Sequence, residues 1–182
     1  MKVKDVIAEC LIRAGKEDFT RNSTLTDEQQ KTRNRLLGCF NIAYREIVSK
    51  YLPLVHSEKV EFANGVLSSK SLQKKILYPI RVQVGDQRKA FCAGVDKIEC
   101  DVQGSAILTY AYMPDADFSI DDEFDDMRLT RSALVNGTLG EYYFQNKVFD
   151  LAKNFDTEFR TEMGMLRYKG KNVVIKRRGW RA

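Results

Sequence analysis

Apolar positions open the chain at helical spacing. Val3, Val6, Ile7, Cys10, Leu11 and Ala14 form one stripe, which predicts a first helix of about four turns stopped at Gly15. A polar loop rich in Asn, Ser and Thr follows, from Lys16 to Leu25. Thr26 then reads as an N-cap. Gln29 stands three residues on, as in a capping box, and Asp27 and Glu28 face the positive helix end. The second predicted helix is long. Leu36, Leu37, Phe40, Ala43, Tyr44, Ile47, Val48 and Tyr51 keep one face apolar until Pro53 ends it. At the helical rise per residue it spans on the order of 40 Å. Its first turns, Gln29 to Arg35, are nearly all polar and are read as facing solvent or a partner.

From Leu54 the period changes from helical to alternating. Val60 and Phe62 alternate with charged residues, and Asn64-Gly65 is a strong hairpin turn. Ile76, Tyr78, Ile80, Val82 and Val84 form a second alternating run, and Gly85-Asp86 turns the chain again. Arg88 to Cys92, Lys97 to Val102 and Ala106 to Tyr112 complete about five or six short strands, a small antiparallel β unit. Pro79 places its strand at an edge or in a bulge.

An acidic stretch follows, with Asp115, Asp117, Asp121, Asp122, Glu123, Asp125 and Asp126. Asp115, Asp117 and Ser119 match half of a calcium loop. The glycine position is Ile120 and the terminal glutamate position is Asp126, which argues against calcium. The stretch is read as a solvated connection back to helix. Leu129, Leu134, Val135, Leu139, Tyr142 and Tyr143 outline a third helix. Gly137 and Gly140 inside it point to close approach of another backbone, because glycine there otherwise costs stability. Val148, Leu151, Ala152, Phe155, Phe159 and Met163 outline a fourth, ending near Gly164, with its aromatics facing core.

The expected fold is therefore α+β, mainly α. Two N-terminal and two C-terminal helices form a four-helix core, with an inserted small antiparallel β unit at about 54–113 and an extended C-terminal arm. Residues 1–166 are read as one domain and 167–182 as the arm.

Charge sharpens this picture. The chain carries net +5, yet residues 167–182 hold seven bases and no acid, so residues 1–166 sum to −2. The arm has Arg167, Lys169, Lys171, Lys176, Arg177, Arg178 and Arg181 around an apolar run, Val173, Val174 and Ile175, and it carries the only tryptophan, Trp180. An arm of that kind reaches a partner: a nucleic acid, an acidic protein surface or a groove. The mixed composition favours docking on protein, with the apolar residues and Trp180 as anchors. The alternative is a nucleic-acid-binding protein whose arm grips phosphates and whose Trp180 stacks on a base.

Candidate catalytic chemistry is scarce. Cys10, Cys39, Cys92 and Cys100 lack paired metal-ligand spacing and read as reduced, small apolar residues. His56 is the only histidine and reads as structural. Gly15-Lys16 lacks the earlier glycine of a phosphate loop, and no nucleophile elbow is present. No cofactor or metal is expected, and no enzyme. The N-terminal helix is interrupted by Lys4, Asp5, Glu9 and Arg13, unlike a signal peptide. No stretch has the length of a membrane span, so a cytosol-like compartment is expected.

The order of elements resembles the head–tail connector proteins (adaptor or neck proteins) of tailed bacteriophages. The resemblance rests on the opening KVKDVIAECLIRAGKED, on the long helix from TDEQQ to AYREIVSKYLP, and on the strand SAILTYAYMPD running into the acidic segment. It continues through RLTRSALVNGTLGEYYFQNKVFDLAKNFDTEFRTEM and the short C-terminal arm. It implies a non-catalytic ring, typically dodecameric, stacked below the portal in the virion neck and assembled in the host cytoplasm. The implied partners are the portal protein, the next neck or tail protein, further copies of the chain, and genomic DNA passing non-specifically through the lumen. The arm residues named above would then dock on the portal.

Overall fold

The computed structural model describes residues 1–21, 25–124 and 128–169. Helix makes up 47% of the structure and strand 27%. That overturns the mainly-α expectation. Four longer helices stand beside two antiparallel sheets with seven strands, and the sheets have a core of their own.

Helix α1, Val3–Arg13, buries the predicted stripe and stops before Gly15, whose φ is +70°. A one-turn helix α2, Asp18–Arg21, interrupts the segment read as loop. Helix α3, Asp27–Glu46, starts with a complete capping box. The Gln29 amide N–H donates to Thr26 Oγ1 at 3.3 Å and the Thr26 N–H donates to Gln29 Oε1 at 2.9 Å. Such a box satisfies two of the free donors at a helix start. The helix then passes into a π-helical turn, Ile47–Tyr51, where the Leu52 N–H donates to the Ile47 carbonyl at 2.9 Å. Pro53 follows at once. The sequence pattern anticipates the long helix but not this extra residue.

Strand β1, Leu54–Phe62, leads into β2, Val66–Ser68, through the Asn64-Gly65 turn. Both turn residues have positive φ, +52° and +77°, as a type I′ turn requires. Strands β3, Ile76–Val84, β4, Gln87–Lys89, β5, Phe91–Ala93, β6, Lys97–Cys100, and β7, Gly104–Tyr112, complete the unit. One sheet runs β1-β7-β3-β4 and the other β2-β6-β5. The register of β3 against β7 shifts between Pro79 and Arg81, so the proline sits at a bulge. Strand β4 pairs only with Val82–Val84, which leaves the other flank of Pro79 without a strand.

One face of the larger sheet is buried. Val60, Phe62, Val82, Ala106, Leu108 and Tyr110 join Leu67, Ile98 and Cys100 of the smaller sheet in one apolar cluster. Segment 69–75 crosses that face. The Tyr110 hydroxyl donates to Glu58 Oε1 and accepts from the Lys74 N–H, and the Gln73 N–H also donates to Glu58. The other face is open: Val55, Tyr78, Ile80 and Ile107 are exposed there, around a Ser57–Thr109 hydroxyl pair 2.9 Å apart.

Helix α4, Arg131–Gln145, is capped by Thr130, and α5 runs Phe149–Lys169. It does not stop near Gly164, where nothing lies within 4 Å of an added methyl group. A polar clamp ties these helices together. Thr130 Oγ1, Ser132 Oγ and Asn136 Nδ2 all donate to the Glu162 carboxylate, at 3.1, 2.6 and 3.1 Å. Arg13 donates to Asn136 Oδ1 at 3.1 Å and brings in α1.

In the acidic segment Asp115, Asp117, Asp121, Asp122 and Glu123 are exposed, as a solvated connection requires, but the apolar residues between them pack on the helical core. Phe118 and Phe124 pack against the stacked pair Phe40 and Tyr44, with ring centroids 4.9 to 6.0 Å apart. Buried Asn41 holds the backbone of Phe118 on both sides. Its Nδ2 donates to the Phe118 carbonyl at 3.0 Å and its Oδ1 accepts the Phe118 N–H at 2.8 Å. The Met1 ammonium donates to the Phe124 carbonyl at 2.8 Å, so the chain start closes on the same segment.

Candidate functional site

An open apolar groove of about 520 Å³ lies between α3, α4 and α5. Helix α3 contributes Ile42, Ala43 and Glu46, α4 contributes Gly137, Gly140, Glu141 and Phe144, and the first half of α5 supplies the remaining wall. Its floor is made of small residues because the helices come close. A methyl group on Gly137 would lie 3.1 Å from the Phe159 ring and 3.2 Å from Ala43 Cβ. At Gly140 the nearest atom would be the Asp156 backbone nitrogen at 3.4 Å. The close approach of another backbone read from the two glycines is present at Gly140, whereas at Gly137 the close neighbours are side chains.

The lips are aromatic. A tight connection joins α4 to α5, with Asn146 as the helix cap and Lys147 at φ +62°. Asn146 Nδ2 donates to the Tyr142 carbonyl at 2.7 Å, and Arg35 donates to Asn146 Oδ1 at 2.8 Å. This turn sets Phe144 and Phe149 edge to face, 5.9 Å apart. They remain 60% and 59% exposed, and Ile42, Val148 and Leu151 beside them are exposed as well. Val148 and Leu151, two of the residues that outline the fourth predicted helix, thus lie at the surface. Phe159 and Met163, from the same predicted stripe, are buried.

Charged side chains rim the groove. Asp156 accepts from Arg160 Nε at 2.7 Å, and Glu46 accepts from Lys50 at 2.9 Å. These hydrogen bonds raise the pKa values of Arg160 and Lys50 above their ordinary values. Glu141 accepts only a neutral bond, from Gln145. The lining holds no Ser, Thr, Cys or His; its polar side chains are Glu46, Glu141, Lys153, Asp156 and Arg160. It is suited to bind an apolar surface.

The other candidate chemistry disperses. His56 Nε2 is buried without a hydrogen-bond partner, and the ring packs edge-on against Tyr110 and Tyr112. Cys10, Cys39 and Cys100 are buried and Cys92 is exposed, all as free thiols. Burial pushes the Cys10 thiol up to about 12 and Cys39 up to about 11. Among the described residues no group of three or more His, Cys, Asp or Glu could hold a metal. Nor, among those residues, is any helix long and apolar enough to cross a membrane.

Of the arm residues, Arg167 and Lys169 belong by backbone to α5 rather than to an extended arm. Lys171, Val173, Val174, Ile175, Lys176, Arg177, Arg178, Trp180 and Arg181 lie outside the described residues. Sequence reasoning missed the groove because Ile42, Phe144 and Phe149 stand off the core stripes. Apolar residues at such off-stripe positions were the signal available. No protein-family model matches the chain, and no curated protein matches it.

Proposed function

We propose that the protein is a non-catalytic structural subunit of the neck of a tailed bacteriophage. Copies form a ring below the portal, line the DNA exit channel and offer a platform for the next neck or tail protein. The observation that carries the binding part of this reading is the α3–α4–α5 groove, with two aromatic lips more than half exposed. Soluble chains expose contiguous apolar surface of this kind mainly where another protein covers it. The phage assignment rests on the order of sequence elements described above. The basic segment 167–182 is assigned to the portal, with weak, non-specific contact to DNA in the lumen.

The test is to mix the purified chain with portal particles of the same phage, with and without residues 167–182, and to image the product. A ring on the portal with the full chain, lost on truncation, is expected. Equal binding by both forms removes the arm assignment. No ring with either form, together with DNA binding that falls steeply with salt, favours the nucleic-acid reading instead.

A further inference from the structure

The groove lies on the same helix that leads out to the basic segment. Its α5 wall is Phe149, Ala152, Lys153, Asp156, Phe159 and Arg160, a stripe at helical spacing. One turn further on, that stripe reaches buried Met163 and then Gly164. Nothing lies within 4 Å of a methyl group added at Gly164, so this side of the helix stands open between the groove and the helix end at Lys169.

Residues 170–182 follow, outside the described residues. Gly170 comes first, the residue type that most often reverses a chain at a helix end. A chain reversed there and extended from Asn172 runs back at about 3.3 Å per residue, against about 1.5 Å in the helix. Val173, Val174 and Ile175 then come alongside Met163 and Gly164. Lys176, Arg177 and Arg178 come level with Arg160 to Asp156. Trp180 comes about 26 Å back, and the helix from Lys169 to Ala152 spans about the same length. That is the level of the aromatic lips.

We propose that, in the unassembled chain, segment 172–180 folds back into the groove of its own molecule, with Trp180 packed against Phe144 and Phe149. This rests on the reading of the groove as a protein-binding surface and names its first occupant. Charge does not make the choice, because Glu46, Glu141 and Asp156 are balanced by Lys50, Lys153 and Arg160. Reach and order make it. Apolar, basic and aromatic residues succeed one another in the segment as the open side at Gly164, the acids and the aromatic lips do along α5. Glu141, which accepts only a neutral bond, gains a base. A segment tethered within reach acts at about millimolar effective concentration, so it holds the groove against untethered proteins. Docking of the arm on the portal then uncovers the groove, which sets the order of the two contacts.

Trp180 is the only tryptophan, so its fluorescence reads the contact directly. In the purified full chain its emission should be blue-shifted from that of the urea-unfolded chain. Acrylamide should quench it several-fold less than it quenches a peptide of residues 167–182. Neither result should depend on protein concentration. Phe144→Asp, at an exposed position, should shift the emission red and restore peptide-like quenching while circular dichroism stays unchanged. Peptide-like quenching in the wild type overturns the proposal, as does protection that survives Phe144→Asp.

A crosslinking arm guards against a variant that folds poorly. In a Cys92→Ser background, Phe149→Cys with Trp180→Cys should oxidise to a monomer closed by one disulfide. Oxidation to dimers gives the groove to another copy's segment and overturns the contact within one chain, and so does failure to form the bond. The portal-mixing experiment reads ring formation whatever the state of Trp180 in the free chain, so failure of this contact and failure of the neck assignment are told apart.

Discussion

Gly137 and Gly140 lie on one helix, three residues apart, and should respond oppositely to alanine. Replacing glycine by alanine in a helix interior gains about 1 kcal/mol from propensity alone. At Gly140 the added methyl meets the Asp156 backbone nitrogen at 3.4 Å and the Ala152 carbonyl oxygen at 3.8 Å, which is ordinary contact. The propensity gain survives there, and Gly140→Ala should stabilise by about 0.5–1 kcal/mol. At Gly137 the methyl meets two Phe159 ring atoms at 3.1 Å and Ala43 Cβ at 3.2 Å. Neither neighbour can give easily. Phe159 is buried and packs edge-on against Tyr51, and Ala43 moves only if α3 moves. Overpacking of this kind costs about 1–3 kcal/mol, so Gly137→Ala should come out destabilised by roughly 1 kcal/mol after the propensity gain. Urea titrations of the two variants beside wild type read the midpoints directly, and an unchanged slope keeps the comparison sound. A Gly137→Ala variant as stable as wild type, or less affected than Gly140→Ala, would refute the close-approach argument for the groove floor.

Glu162→Ala should cost about 1–3 kcal/mol, because it leaves buried Asn136 without the acceptor for its Nδ2. A thermal melt should show a fall of about 2–4 °C per kcal/mol, with a smaller loss for Glu162→Gln. Alkaline stability should fall between pH 9 and 12. The Cys10 thiol and the Tyr110 phenol are raised from 9.0 and 10.0 to about 12, chiefly by burial. Over that window the unfolded chain loses protons that the folded one keeps, so the urea midpoint drops as pH rises, and a flat profile counts against both burials. In the native state one thiol, Cys92, should react rapidly with a thiol reagent while Cys10, Cys39 and Cys100 wait for unfolding. Two or more fast thiols would contradict the packing described.

Features governed by near neighbours in sequence were legible before the structure. The stripe of α1, the Thr26–Gln29 capping box and the Asn64-Gly65 turn each depend on residues within a few positions. What the sequence concealed depended on distant partners. Seven acids dominate the connection after β7, yet Phe118, Ile120 and Phe124 within it reach the helical core. The anchor for Phe118 is Asn41, 77 residues earlier, so no local pattern announces it. The balance of helix and strand was misjudged for a related reason. Strands β2, β4 and β5 have three residues each, too few to show a period, and they exist because longer strands hold them. The groove was partly legible through its two glycines, whereas its aromatic lips fell outside every stripe.

The π-helical turn at Ile47–Tyr51 stands at the joint where the chain leaves the helices for the sheets. An α-helix turns by about 100° per residue, so one residue more or less in that turn re-aims everything after it by that angle. The compass bearing of the open sheet face relative to the groove is therefore held by a single added residue. Whatever docks on the helices therefore meets a sheet face whose direction that one residue has fixed.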